Sequence, residues 1–205
     1  MDWTSLYFKT TDLKVLILGT GEVATRRANR FLDKNSEVIL IGNLISEELS
    51  DKGAILKDES DIDTLVKWSD LIIIATGNES LAKYVTKIAK DKLINRADCP
   101  DKGNLIVPTT FNIENIEISI FTNGKSPLMA KELRRKIQSI ITAEDILEIE
   151  VQNFARELLK GKINNQKDRK KYLYSFFEDE KIASYIKNHD LNGAKEYLKT
   201  QVDNI

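Results

Sequence analysis

The residues best suited to chemistry in this chain stand in one short loop, Gly19-Thr20-Gly21-Glu22-Val23-Ala24, which fits the pattern G-x-G-x-x-A. It lies directly between an apolar run of strand length, Lys14 to Leu18, and a helical pattern carried by Val23, Ala24, Ala28, Phe31 and Leu32. In that context each small residue has a task. Gly19 permits the tight turn, Gly21 lets the backbone approach a pyrophosphate, and Ala24 allows close helix–strand packing. The free N–H groups at the helix start favour a bound anion. The plain alternative is a glycine-containing turn without a ligand. The second apolar run, Val38 to Ile41, ends in Gly42-Asn43-Leu44, where an acidic residue usually binds the ribose 2′-hydroxyl. Asn43 can hydrogen-bond a ribose but does not repel a 2′-phosphate, so NAD leads over NADP by a small margin. Thr76 follows the strongest strand pattern, and its hydroxyl either touches a cofactor or helps start the next helix.

The candidate for proton chemistry is Asp98, within Asn95-Arg96-Ala97-Asp98-Cys99-Pro100. At the carboxyl end of a fifth strand, a carboxylate can accept or relay a proton while hydride leaves to a nicotinamide. The competing reading is a turn-forming Asp before proline. Cys99 has no histidine near it in sequence and reads as a half-buried spectator. His189 lies in the helical tail and reads as a surface or packing residue. Lys125, Lys131, Arg134, Arg135 and Lys136 cluster around a helix start, a face that suits solvent or a multiply anionic small molecule. Lys160, Lys162, Lys167, Arg169, Lys170 and Lys171 read as a solvated helical face.

The elements that must position these residues follow from periodicity. The runs at 14–18, 38–41, a weaker one at 54–56, 71–75 and 93–95 alternate with helical patterns at 61–68 and 78–90. Leu71 to Ala75 lacks polar alternation, as in a parallel strand covered on both faces. Strand and helix in alternation specify an α/β fold with a doubly wound parallel sheet. After residue 100 the rhythm changes. Leu105 to Pro108 and Ile116 to Phe121 read as two strands, and the second alternates Ile116, Ile118 and Ile120 with Glu117 and Ser119. Ser126 suits an N-cap and Pro127 the first helical position. Leu128, Leu133, Ile137 and Ile140 then form an apolar stripe, and everything beyond residue 143 is helical in character. Boundaries are placed near 113 and 145.

The chain has 205 residues, enough for one sizeable domain with an appendage. Its 31 Lys and Arg against 32 Asp and Glu lack the basic excess of a nucleic-acid binder. One cysteine excludes an internal disulfide and one histidine excludes a multi-histidine metal cage. No apolar run reaches the roughly 18 residues that span a bilayer. The start, Met1-Asp2-Trp3-Thr4, does not read as a signal peptide, so a cytoplasmic location is expected.

The order of motifs resembles one family. The glycine loop followed by Arg26-Arg27, then Asp70 to Thr76, Asn95-Arg96-Ala97-Asp98, Ile106-Val107-Pro108 and Thr122-Asn123-Gly124-Lys125-Ser126-Pro127 is similar to precorrin-2 dehydrogenase / sirohydrochlorin ferrochelatase, the dehydrogenase–chelatase module of siroheme synthase. The resemblance covers about residues 6–142 by motif and the helical tail in kind. It implies a Rossmann NAD-binding domain (1–113), a dimerisation region (114–145) and a helical C-terminal domain (146–205), in a homodimer with the cleft between domains. It implies oxidation of precorrin-2 to sirohydrochlorin with NAD reduced, and in some members iron insertion through transient metal handling. Asp98 matches the aspartate on which family catalysis depends. Glu22-Val23 and Asn43-Leu44 match backbone positions at the cofactor, and Ser126 matches a serine near the tetrapyrrole cleft. Asn95, and Lys125 of the basic cluster that suits an anionic substrate, are expected as further substrate contacts from this chain's own residues. Thr20 stands where the middle of three glycines is common, Gly77-Asn78 where acidic residues are frequent, and Ala82 where Asn is common. The chain ends at Ile205, without the methyltransferase module fused in some relatives. A different class, a non-catalytic nucleotide-sensing module, shares the glycine loop but usually carries an acid where Asn43 stands.

Overall fold

The computed structural model describes residues 3–205; Met1 and Asp2, part of the start read above for a signal peptide, lie outside the described residues. The chain divides into two compact units that meet between Val107 and Pro108.

In the first unit, β1 (Lys14–Leu18), β2 (Glu37–Ile41), β3 (Ile55–Lys57), β4 (Leu71–Ile74) and β5 (Leu93–Arg96) form one parallel sheet in the order β3-β2-β1-β4-β5. This is the doubly wound sheet that the sequence pattern specifies. The continuous apolar runs have their expected cause, since every residue of β4 is buried and helices cover both faces. Alternate residues serve opposite faces. Val15, Ile17, Val38, Leu40, Leu71 and Ile73 meet Ala24, Ala28 and Phe31 of α1 (Glu22–Leu32). Leu16, Leu18, Ile72, Ile74 and Ile94 meet α3 (Ile62–Trp68) and α4 (Glu79–Ile88). A short α2 (Glu47–Asp51), capped by Ser46, precedes β3 and was not apparent from periodicity because it is about one turn long.

Register sets the functional edge. Leu18 lies opposite both Ile41 and Ile74, and Ile74 opposite Arg96, so the loops after β1, β2, β4 and β5 leave the sheet together. Strand order reverses between β1 and β4, the switch point where open α/β sheets bind ligands.

The expected strand at Leu105–Pro108 is absent. Asn104 and Leu105 both donate their N–H to the Ile94 carbonyl, which breaks the one-to-one spacing of a ladder, and Pro108 has no N–H to offer. The strand begins one residue later, as β6 (Thr109–Ile113), paired antiparallel with β7 (Ile116–Ile120) in the second unit. There Ser126 caps α5 (Pro127–Ile140), its Oγ accepting the Met129 N–H. The stripe on α5 is not buried within this unit, for Leu128 is 67% and Ile140 71% exposed. The tail folds as α6 (Ala143–Lys162), α7 (Gln166–Phe177), α8 (Glu180–Lys187) and α9 (Leu191–Asp203) around Val151, Leu159, Ile182 and Leu198. Among the described residues no helix is long and apolar enough to cross a membrane.

Candidate functional site

The two glycines of the first loop are glycine for different reasons. Gly19 has φ +113°, and a Cβ there would collide with the Ala75 carbonyl oxygen at the end of β4. Its N–H donates to the Ile41 carbonyl at 2.8 Å, so the turn is tied to β2 as well. Fold geometry alone demands glycine at that point. Gly21 has an ordinary φ of −76°, and a Cβ there would meet no atom within 4 Å. Among the described residues nothing excludes a side chain there, so the open space above Gly21 is available to a ligand that must reach the backbone. Gly21 is also the N-cap of α1, and no side chain bonds to the free N–H groups there, whereas Ser46, Asn78 and Ser126 cap α2, α4 and α5. Uncapped donors on an exposed helix start fit a pyrophosphate.

Thr20 does not face this space. Its side chain rests on Gly42, where a Cβ would come within 2.5 Å of Thr20 Cγ2. Gly42 is thus a part of the loop that the pattern itself did not reveal. Glu22, Val23, Asn43 and Leu44 are exposed at the same edge, Leu44 by 76%. Thr76 Oγ1 accepts the Asn78 N–H at 3.1 Å, and Asn78 in turn caps α4 through Leu81 N–H. Thr76 therefore shapes the turn into α4 while half open to the edge.

At the end of β5 the arrangement is the reverse, a turn built from side chains. Arg96, the last residue of the strand, is 2% exposed. Its Nε donates to Asp98 Oδ1 at 2.8 Å and its Nη2 to Asp98 Oδ2 at 2.6 Å, a two-pronged ion pair. Nη1 reaches Thr86 Oγ1 on α4 at 3.3 Å, and Thr86 donates to the Ala82 carbonyl. The Asp98 side chain keeps 30% of its surface in solvent. Hydrogen bonding to Arg96 holds its carboxyl below the usual carboxylate range, against the opposing effect of partial burial. Sequence reasoning singled out Asp98 but not Arg96. The signal was there, because residues two apart at a strand end share a side, and a cation inside an otherwise apolar strand needs a partner.

The loop beyond is clamped to the strand. Asn104 Oδ1 accepts the Ile94 N–H at 2.6 Å, and the Asn95 amide donates to the Leu105 carbonyl at 3.0 Å. A Cβ on Gly103 would lie 2.6 Å from the Ile94 carbonyl oxygen and 3.0 Å from Arg96 N. Asn95 is itself interior, 3% exposed, with an Oδ1 that has no hydrogen-bond partner. Arg27, on α1, keeps a buried Nε without a partner, and burial together with Arg30 and Arg26 lowers its pKa to about 10. Cys99 is half-buried.

Lys125 and Ser126 belong to the second unit. Lys125 is exposed at the turn before α5, while Ser126 Oγ is engaged by its capping bond. In the basic cluster, Arg134 lies over the Phe111 ring at 5.3 Å and Arg135 pairs with Glu132. Of the second basic stretch, Arg169 donates to the carbonyls of Ile163 and Asn164, closing the carboxyl end of α6. His189 is a surface residue 3.8 Å from Glu144. Among the described residues no group of His, Cys, Asp and Glu could hold a metal ion.

Residues 6–109 match the NAD_binding_7 family, described as "Putative NAD(P)-binding". A "Putative precorrin-2 dehydrogenase" of Methanocaldococcus jannaschii is 31% identical over 188 residues, covering 85% of this chain and 89% of that one. The chain belongs to the precorrin-2 dehydrogenase family. A siroheme synthase of Actinobacillus succinogenes is 24% identical across 99% of this chain, which spans 44% of that longer protein. The solved structure of SirC, a precorrin-2 dehydrogenase, superposes with a TM-score of 0.71 over 99% of this chain at 21% identity, showing the shared fold. The glycine loop, residues 19–24, lies within the stretch that matches this NAD(P)-binding family.

Proposed function

We propose that this chain is a precorrin-2 dehydrogenase of siroheme biosynthesis, with NAD as its hydride acceptor. The observation that carries the reading is a family relationship along 89% of a dehydrogenase relative, joined to an ionised carboxylate at the edge where the glycine loop opens. Thr20, Gly21, Glu22 and Val23 would hold the dinucleotide pyrophosphate through backbone N–H groups, with Gly19, its own N–H committed to Ile41, making the turn beneath it, Asn43 and Leu44 at the ribose and Thr76 beside them. When bound, NAD supplies the acceptor for the hydride removed from the macrocycle.

Asp98 takes the accompanying proton. At neutral pH it is ionised, the accepting form, with Arg96 lowering its pKa further, and its exposed edge lets the proton pass to water. The reaction balances as loss of one hydride and one proton from precorrin-2, giving sirohydrochlorin. Asn95, from its interior position, fixes the course of the backbone before Asp98, and Lys125 with the cations of α5 suits a carboxylate-rich substrate. The exposed apolar residues of α5, together with the hairpin, are read as a dimerisation region of a homodimer, and a biosynthetic enzyme of this kind is placed in the cytoplasm.

The test is anaerobic incubation with precorrin-2 and either NAD or NADP. Appearance of the sirohydrochlorin absorption spectrum with matching NADH production is expected. Tight dinucleotide binding without conversion would instead favour a sensing module. Adding ferrous iron to the same assay, with the wild-type chain and with Asp98→Ala, reads whether metal is inserted and whether Asp98 is needed for it.

A further inference from the structure

We infer that Arg96 is a positioning residue for the reaction: it grips both oxygens of Asp98 from inside the sheet and thereby fixes the direction in which that carboxylate receives a proton. The inference rests on the reading of Asp98 as the proton acceptor and goes beyond it by saying what makes the acceptor competent.

Three observations support it. First, the grip is complete. Nε and Nη2 bond one carboxylate oxygen each at 2.8 and 2.6 Å, the backbone N–H groups of Asp98 and Cys99 add to the hold, and 30% of the side chain stays open to solvent. Two parallel bonds from a planar guanidinium remove the rotation that one bond would allow. Second, the gripping group is itself held. Arg96 is buried at the end of β5, Nη1 reaches Thr86 on α4, and Gly103 leaves the backbone beside Arg96 just enough room. Asp98 is thus referenced to a strand and a helix, although it sits in a loop. Third, burial of Arg96 has no other evident return. A guanidinium 2% exposed at the end of a strand is costly to desolvate, and an apolar residue would fill that place more cheaply unless the pair were needed.

The charges around the pair are few. Cys99 follows Asp98, and Glu79 at the start of α4 acts on Arg96. Glu79 is itself paired with Lys83 at 2.8 Å and influenced by Lys102. Arg96 is thus the cation in direct contact with the Asp98 carboxylate.

Positioning and basicity make opposite predictions, which gives the test its edge. Removing Arg96 makes Asp98 a stronger base, and that alone would speed proton removal. Loss of direction slows it, by about a hundredfold for a displacement near 1 Å. The experiment measures kcat, KM for NAD and the pH profile of kcat/KM for the full chain, its Arg96→Met variant and its Arg96→Lys variant. Carboxyl 13C NMR follows the Asp98 titration in each. Expected for Arg96→Met is a kcat lower by about a hundredfold, an unchanged KM for NAD, an acid limb moved to higher pH, and a matching rise in the NMR titration. Arg96→Lys keeps the charge but not the fork, so it retains an intermediate rate with an acid limb near the original. It carries the test alone if the methionine variant does not fold. A rate at or above wild type in either folded variant overturns the proposal, as does a fall in rate with both the acid limb and the Asp98 titration unmoved. Absence of precorrin-2 oxidation by the wild-type chain is a separate result, since it defeats the functional reading while the NMR titration still reports whether Arg96 governs Asp98.

Discussion

The turn after β1 and the turn after β5 leave the same edge of one sheet and are built on opposite plans. The first is stripped of side chains: Gly21 opens onto empty space and the start of α1 has no side-chain cap. The second is crowded with them, Arg96 against Asp98, Asn104 against Ile94, and Gly103 pressed to the strand. A pyrophosphate is recognised best by fixed main-chain donors that side chains would obstruct. A proton acceptor must be one particular side chain, and it is useful only when its neighbours hold it still. On the proposed reading, the edge keeps binding and reaction on separate turns.

That contrast can be attacked from either side, beginning with the largest expected effect. Gly19→Val should destabilise the first unit by about 3 kcal/mol or more, since it combines a backbone conformation that side chains avoid with a collision at the Ala75 carbonyl. A melting curve checks it, and dinucleotide should not rescue the loss. Asp98→Ala should cost about 2 kcal/mol of stability, because it leaves the buried Arg96 unpaired; partial exposure of Asp98 keeps the figure at the low end. Its pH dependence follows from a lowered folded-state pKa. The contribution is fully present above the ordinary Asp value of about 4 and fades as pH falls through the lowered value. Denaturant titrations at neutral and acid pH should therefore show the wild-type advantage shrinking. Gly21→Val should leave the melting temperature nearly unchanged yet weaken NAD about tenfold or more, close to 1.4 kcal/mol. Equal losses of stability at Gly19 and Gly21 would erase the distinction between a glycine for folding and a glycine for ligand. Ser126→Ala should remove an N-cap worth about 1 kcal/mol, read by thermal melting, and should not alter NAD affinity.

How much of this was legible in the sequence depends on how far burial is completed within a unit. The sheet was readable because β1 and β4 are covered on both faces, so apolar runs had one meaning. Asp98 could be placed at the edge because a strand pattern ended just before it. The pairing with Arg96 was missed because the segment was read as a motif rather than as two residues sharing one side of an extended chain. Leu105 to Pro108 misled for a related reason: its residues are apolar enough for a strand, yet the Leu105 N–H is taken by the loop clamp at Ile94 and Pro108 has none to give. On α5 the sequence shows an apolar stripe of Leu128, Leu133, Ile137 and Ile140, and the second unit half-buries Ile137 while leaving the other three exposed. Periodicity reports that a face is apolar; it does not report what covers it.

The claim on which the rest depends is that Asp98 does chemistry and does not hold the dinucleotide. The direct measurement is the anaerobic turnover of Asp98→Asn at saturating NAD, which removes the accepting charge while keeping the shape. A kcat reduced by about a hundredfold or more, with NAD affinity within about twofold of wild type, is the predicted result. Turnover at the wild-type rate would contradict it.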